Sequence, residues 1–590
     1  MSFFILWFIT NILQTNNPTI CLIPVPLSFI SAIFLSRYYS LYHEKTTHFT
    51  VVCYALLFLL IIVSSLFYLE PIIRYPYSAI GIPNKDLHDG ISVFINKYGY
   101  PPSDVGSLTR NEQFIPNTNK GLFLGYPNAL HVAAGYSMRL GVSAFHATWI
   151  VVLSSLILSS LSIFLILRAL WDDAMLAALF GGLFLISSAR IPYGIATSIP
   201  MMFAYSLVLP TFTICLVALQ QGKNVLSLII PCIAIAVLTA SYFGMFMIIF
   251  GMLALYCGIL ILKKLYVEAK KIGFLFVLAL PLLALVLVFQ KTIYWENILA
   301  TAKDFDPYEL SQYLFPLDKA FYMVIYFVSF FIFSHYVFKK NSKLSHPLAI
   351  TLIIMNGLLL LLIPFDGLFH AVRDVYSTDA LIKSNPLGFF GGLNHQRASR
   401  LALMQPYFFI LIIPALFTLI RSKIVRYISV VAAILVFCIS PFDISIYNML
   451  QFKFQGNSGF FNNKDVNKPY TLLSNYRFII PEGLWSQNIV DGLNFLQHAP
   501  NVSRIMLWDE RSWSETSIVG WGSLYLQTKI EPLYNVLKLD KRDFNFQQVS
   551  ILQGREVYLM IINQSPKMSN TLYPFEEVFE NSQVAIYRIE

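Results

Sequence analysis

The stretch NKDLHDG at positions 84–90 places two aspartates and a histidine, Asp86, His88 and Asp89, within four consecutive positions. Carboxylates three residues apart occupy neighbouring positions on one face of a helix. There, one of them can take a proton from a hydroxyl, or orient it, provided the hydroxyl comes within hydrogen-bond reach. The same two acids also suit the start of a helix, with Asp86 as the N-cap and Asp89 beside the positive end of the dipole. The two uses are compatible. A second polar group follows in GYPNALHVAAGYSMRLG (125–141), where a turn at Tyr126 and Pro127 leads into a helix carrying His131, read either as a packed imidazole or as one that touches a substrate. Asp304 and Asp306 in WENILATAKDFDPYELSQYLFP (295–316) are solvated loop acids or weak candidates for a divalent metal, because two carboxylates alone do not define a site. Finally, Lys383, His395, Arg397 and Arg400 lie just ahead of an apolar run punctuated by Pro406 and Pro414. Guanidinium groups there can hold phosphate oxygens in pairs, or can anchor the chain at lipid headgroups.

The elements that must position these residues are dictated by hydropathy. The chain has 590 residues, 56% hydrophobic and 12% charged; a soluble domain carries about 25% charged residues. Apolar runs recur near 2–17, 18–36, 49–69, 147–170, 174–189, 193–219, 225–240, 243–262, 272–290, 319–338, 347–364, 401–420 and 424–440; the first and some of the middle ones are short for a span, which gives about 11–13 transmembrane helices. The fold class expected is a polytopic α-helical membrane protein. One set of connecting loops is short and basic, with 14 Lys or Arg against four acids, Glu44, Asp172, Asp173 and Glu268. The positive-inside rule assigns those loops to the cytoplasm. The loops 70–146, 291–318 and 365–400 and the tail from 441 then face outward. The net charge of +9 is accounted for by such loops, so nucleic acid is not an expected partner. All six cysteines fall within apolar runs, which argues against a disulfide framework or a zinc site.

The chain divides at 1–440, a membrane domain with its outward loops; 441–465, a Gly- and Asn-rich linker; and 466–590, a small α/β domain outside the cytoplasm. In that tail LWSQNIVDGLNFLQHA has helical periodicity, and the segments at 503–509, 556–563 and 583–590 read as strands. Residues Leu87, Ile91, Phe94, Ile95 and Tyr98 form one apolar stripe after Pro83 and before Gly99, which predicts a short amphipathic helix lying along the membrane surface.

Taken together, these motifs resemble the GT-C superfamily of integral-membrane glycosyltransferases. The acidic juxtamembrane motif of the first large outward loop matches at Asp86, His88 and Asp89. The helix that follows in the same loop matches at Tyr126, Pro127 and His131, and the late span opening with Arg and then Pro matches at Arg400 and Pro406. The resemblance covers residues 49–590 in architecture. The tail carries no WWDYG-like motif, which argues against an oligosaccharyltransferase. The resemblance implies transfer of a sugar from a polyprenyl-phosphate donor to a glycan, lipid or protein acceptor at the outer face, with inversion. Asp86 or Asp89 would assist the attack. Arg400, with Arg397 and Lys383, would hold the phosphate, and His88, His131, Tyr126 and His395 would contact substrate. No cofactor is assigned, and a divalent metal stays open, with Asp304 and Asp306 its weak candidates. Two other classes stand beside it. A transporter or flippase of lipid-linked saccharides calls for charges at mid-membrane depth and paired repeats, and a non-catalytic scaffold would leave the acids without a role.

Overall fold

The structure, a computed structural model, describes residues 48–74, 79–80, 85–99, 128–171, 173–187, 191, 199–221, 225–242, 245–289, 318–339, 347–360, 404–439, 481–482, 487–499, 505–509, 526, 530–533, 557–562 and 575–589. The two N-terminal apolar runs and the linker expected at 441–465 lie outside the described residues.

Helix α1 (His48–Arg74) leads through a two-residue strand β1 (Ala79–Ile80) to α2 (Lys85–Tyr98), and α3 (Ala129–Arg139) follows. The bundle continues with α4 (Ala147–Leu170), α5 (Ala174–Gly182), α6 (Ile199–Gln221), α7 (Ile229–Ser241), α8 (Met245–Leu262), α9 (Tyr266–Phe289) and α10 (Asp318–Phe338). It ends with α11 (Pro347–Leu360), α12 (Gln405–Ile412), α13 (Pro414–Thr418) and α14 (Lys423–Ile439).

The protein is an integral membrane protein. Among the described residues three helices are long and apolar enough to cross a membrane: Ala147–Leu170, Ile199–Leu219 and Tyr266–Val286, with six shorter apolar helices of 10–17 residues beside them. The 24 residues of α4 rise about 36 Å, more than the ~30 Å hydrocarbon layer. On the outside of the bundle, α1 exposes Phe58, Leu59 and Ile62, α9 exposes Val277 and Leu280, and α10 exposes Phe327 and Phe331. Apolar surface on this scale is a liability in water and the expected surface in lipid.

Two of the runs read as single spans are interrupted. The run at 174–189 becomes α5 followed by a 3-10 turn, Phe184–Ile186. Its glycines let it press into its neighbours. A Cβ on Gly182 would lie 2.5 Å from Leu60 Cβ of α1, and one on Gly181 would lie 2.9 Å from Phe164 Cβ of α4. The run at 401–420 is divided at Ile413, where Pro414 begins α13, since proline cannot donate to the preceding turn. Between α4 and α6 the contact is made by hydroxyls. Ser159 donates to the Ser206 carbonyl and Ser206 donates to Ser155, a small-residue interface of the kind that draws helices together in lipid.

The two ends of α4 differ in chemistry. Beyond its C-terminal end, Asp173 caps α5 by accepting from Leu176 N–H at 3.0 Å, pairs with Arg426 at 3.4 Å, and accepts from the Tyr427 hydroxyl at 3.0 Å. One of the four acids of the basic loops is thus already engaged. Lys271 Nζ donates to the Leu219 carbonyl at the end of α6.

The tail holds β2 (Pro481–Glu482), α15 (Gln487–His498), β3 (Ile505–Asp509), β4 (Ile530–Pro532), β5 (Val557–Ile562), β6 (Glu576–Glu580) and β7 (Val584–Ile589). Its sheet runs β4-β3-β5-β7-β6. Strand β3 is parallel to β4 and β5, while β7 is antiparallel to β5 and β6. Helix α15 lies close on the sheet: a Cβ on Gly492 would come 2.9 Å from Val584 Cγ1. The α/β character expected of the tail is present. Its relation to the bundle is closer than a linker suggests, because β1 pairs antiparallel with β2, Ala79 opposite Glu482.

Candidate active site

Helix α2 is the centre of the site. Residues 91–95, ISVFI, are buried without interruption, which a helix achieves only when it is covered on two sides. One cover is α3: Ile91 and Ile95 cluster with Val132, and a Cβ on Gly135 would stand 2.8 Å from the Ser92 carbonyl. Glycine at 135 therefore sets the approach of the two helices. The far end of the pair is clamped by Arg139, whose Nη2 donates to the Asn96 carbonyl at 2.8 Å and whose Nε donates to Asn96 Oδ1 at 3.3 Å. The other cover is the tail. Val93, Phe94 and Phe145 share one hydrophobic cluster with Ile489, Val490 and Leu493 of α15 and with Ile505, Leu507, Tyr558, Met560 and Ile586 of the sheet. The stripe expected to rest on the membrane surface is thus covered by protein, and α2 is enclosed between α3 and the tail domain.

This packing brings together three of the polar residues singled out from the sequence. His88 Nδ1 lies 2.9 Å from His131 Nε2, and the two rings stack with centroids 5.1 Å apart and planes 29° from parallel. His131 is fully buried, on the first turn of α3; His88 is half-buried. Next to His88, Asp89 has no exposed surface, and its Oδ1 accepts a hydrogen bond of 2.7 Å from the Thr148 hydroxyl in the first turn of α4. An isolated buried carboxylate costs several kcal/mol unless hydrogen bonds compensate it (~1.5–3 kcal/mol each when one partner is charged). Asp89 therefore ties α2 to the end of a transmembrane helix. Trp149, the next residue, donates from Nε1 to the Tyr68 carbonyl of α1 at 2.9 Å, and the Tyr68 hydroxyl donates to the Leu185 carbonyl. The end of the bundle beneath the tail is thus fixed by polar contacts from α1, α4 and the turn after α5.

Asp86 stands on the first turn of α2, which begins one residue earlier at Lys85. It lies within the helix rather than at its cap. Tyr126, Asp304, Asp306, Lys383, His395, Arg397 and Arg400 are outside the described residues. The residues that the sequence did not reveal are Thr148 and the Arg139–Asn96 clamp. Thr148 could be seen only as a hydroxyl in the first turn of an apolar run, and its role depends on a partner 59 positions away.

Among the described residues no group of three His, Cys, Asp or Glu side chains could hold a metal ion. His88 and His131 turn their facing nitrogens toward each other, while Asp89 is engaged with Thr148.

Solved structures similar to the chain include those of two proteins. One is the Archaeoglobus fulgidus oligosaccharyltransferase in its complex with Zn and sulfate, with TM-score 0.38 and 10% identity, covering 87% of this chain and 69% of that one. The other is ArnT from Cupriavidus metallidurans. In the apo state it gives TM-score 0.36 and 13% identity over 90% of this chain and 97% of that one. Bound to undecaprenyl phosphate it gives TM-score 0.35 and 9% identity over the same shares. No family model and no curated protein matches the chain.

Proposed function

We propose that the protein is a membrane glycosyltransferase that moves a sugar from a polyprenyl-phosphate donor to a hydroxyl acceptor, on the side of the membrane where the tail domain sits and with inversion at the anomeric carbon. The observation that supports this reading is the convergence of Asp89, His88 and His131 at one end of the apolar bundle, directly beneath a folded α/β domain. A lipid-linked sugar presents its phosphate and anomeric carbon at that depth, while its polyprenyl chain occupies the bilayer. The chemistry asks for a group that orients the acceptor hydroxyl, a group that takes its proton, and cations that stabilise the departing phosphate. In this reading Asp86, on the first turn of α2, orients the hydroxyl. Asp89, held by Thr148, fixes the helix that carries both. Arg400, with Arg397 and Lys383, receives the phosphate, and Tyr126 and His395 complete the substrate contacts. The side facing the tail is the outer one, with the basic loops around Lys271 and Arg426 in the cytoplasm.

The test is a mass-spectrometric profile of glycans and lipid-linked sugars in cells lacking the protein, with and without the wild-type gene restored. Loss of one glycan together with accumulation of a polyprenyl-linked sugar, both reversed by the gene, is expected. Loss of the same glycan with the lipid-linked sugar stranded on the cytoplasmic side would instead favour a flippase, and no change in either would leave the scaffold reading.

A further inference from the structure

We propose that the turn joining α8 to α9 is a binding site for anionic phospholipid headgroups. Lys263 and Lys264 hold the phosphate there, and Leu262, Tyr266 and Val267 seat in the acyl boundary beside it. This site is separate from the polar centre on α2 and independent of the transferase reading.

Two features converge on this turn, and the first is its surface. The apolar stretch of α8 ends at Leu262 and that of α9 begins at Tyr266, so residues 263–265 lie where two apolar helices leave the hydrocarbon. All seven residues from Ile261 to Val267 are exposed, Leu262 to 82% and Val267 to 70%. Bare apolar side chains beside lysines are unfavourable in water but suit the boundary between headgroups and acyl chains. There the aromatic ring of a tyrosine sits at headgroup level, and lysine stems lie along the apolar layer while their ammonium groups reach the phosphates. Lys270, exposed on the face of α9 that carries Tyr266 and Val267, adds a third charge. Lys271 is engaged with the Leu219 carbonyl, and Glu268 is the single acid of the segment 263–271.

The second feature is the backbone. Leu265 N–H donates to the Leu260 carbonyl and Lys264 N–H donates to the Ile261 carbonyl, both at 2.9 Å. This pair of bonds closes α8 in a Schellman motif, which puts the residue just past the helix in the left-handed region, where glycine is the usual occupant. Here that residue is Lys264, at φ 61°, the one non-glycine residue with a positive φ among the described residues. Lysine at a helix end also complements the dipole, but Lys263 brings that charge without a left-handed backbone. A residue held in a disfavoured conformation that glycine would adopt freely points to a use for its side chain. Adjacent ammonium groups flanked by bare apolar side chains match a headgroup with net negative charge. A zwitterionic headgroup matches them less well, because its own ammonium offsets its phosphate.

The experiment uses the purified full-length protein in detergent micelles doped with equal amounts of phosphatidylglycerol and phosphatidylcholine carrying the same acyl chains. Native mass spectrometry counts the lipids that each protein molecule retains. The wild type is expected to retain phosphatidylglycerol in preference. The double variant Lys263→Gln/Lys264→Gln is expected to lower that preference about tenfold, since each lysine near an anionic surface strengthens the attraction severalfold. Lys264→Gly separates the backbone of that residue from its charge. In phosphatidylcholine alone its thermal unfolding midpoint should equal or exceed that of the wild type, because the turn is relieved, while its retention of phosphatidylglycerol falls. The same unfolding measurement shows that the variants are folded before their lipids are counted. Equal retention of the two lipids by the wild type, or an undiminished preference in the double variant, overturns the site. A Lys264→Gly protein that retains phosphatidylglycerol as the wild type does overturns the role given to Lys264.

Discussion

Replacing Thr148 with valine removes one hydroxyl while keeping the branched shape of the side chain. In the native structure that hydroxyl donates to Asp89 Oδ1 over 2.7 Å, in a place from which solvent is excluded. A hydrogen bond to a charged group contributes about 1.5–3 kcal/mol, and leaving the charged partner buried brings the loss toward the upper end. Thr148→Val is therefore expected to destabilise the protein by roughly 2–3 kcal/mol. Asp89→Asn weakens the same contact by removing the charge. Combined, the two substitutions should cost less than the sum of the single effects, with a coupling of about 1–2 kcal/mol, well above the ~0.3–0.5 kcal/mol scatter seen for independent sites. The assay is unfolding of the purified protein in mixed detergent and SDS micelles, followed by tryptophan fluorescence, for the wild type, both single variants and the double variant. Additive effects within that scatter would refute the claim that Thr148 holds the Asp89 carboxylate.

Other substitutions probe the rest of the frame. Gly135→Leu drives a side chain into the Ser92 carbonyl, 2.8 Å from the position of a Cβ; it should cost about 1–3 kcal/mol and abolish sugar transfer by parting α2 from α3, measured by SDS unfolding and lipid-linked sugar consumption. Phe94→Ala empties part of the cluster shared by α2 and the tail. A loss of roughly 3–5 kcal/mol is expected, with limited proteolysis releasing the tail before the bundle is cut. Asp173→Ala removes a helix cap, the Arg426 ion pair and the Tyr427 contact at the opposite end. It should destabilise by about 2 kcal/mol yet leave the rate of the protein that remains folded unchanged.

The parts of the fold legible in the sequence are those whose signal is local. The apolar stripe from Leu87 to Tyr98 and the turn residues around it mark α2, and a similar periodicity marks α15. The apolar runs around 503–509, 556–563 and 583–590 match β3, β5 and β7, because buried central strands have to be apolar on both faces. Strands β4 and β6 escape for the converse reason. The three residues Ile530–Pro532 and the polar EEVFE of β6 are strands only because β3 and β7 lie beside them. The same limit governs the site. The pattern of α2 says that one face is covered but not by what, so Phe94 reads as lying on the membrane surface although the tail packs on it. Asp86, His88, Asp89 and His131 stand out by type alone. That His88 meets His131 across 43 positions, and Asp89 meets Thr148 across 59, depends on how three helices cross, which the period of a single helix does not encode. The run at 174–189 breaks where Gly181 and Gly182 press against α4 and α1, a tertiary demand invisible in an apolar stretch.

The most direct test of the central claim compares Asp86→Asn and Asp89→Asn with the wild type in cells lacking the protein, with membrane levels matched by immunoblot and the glycan profile read by mass spectrometry. Asp86→Asn, present at the normal level, is expected to restore none of the missing glycan, while Asp89→Asn is expected to accumulate poorly because it loosens the tie to Thr148. If both variants accumulate normally and restore the full profile, the acids of α2 serve only to build a helix, and the assignment of sugar transfer to this site is wrong.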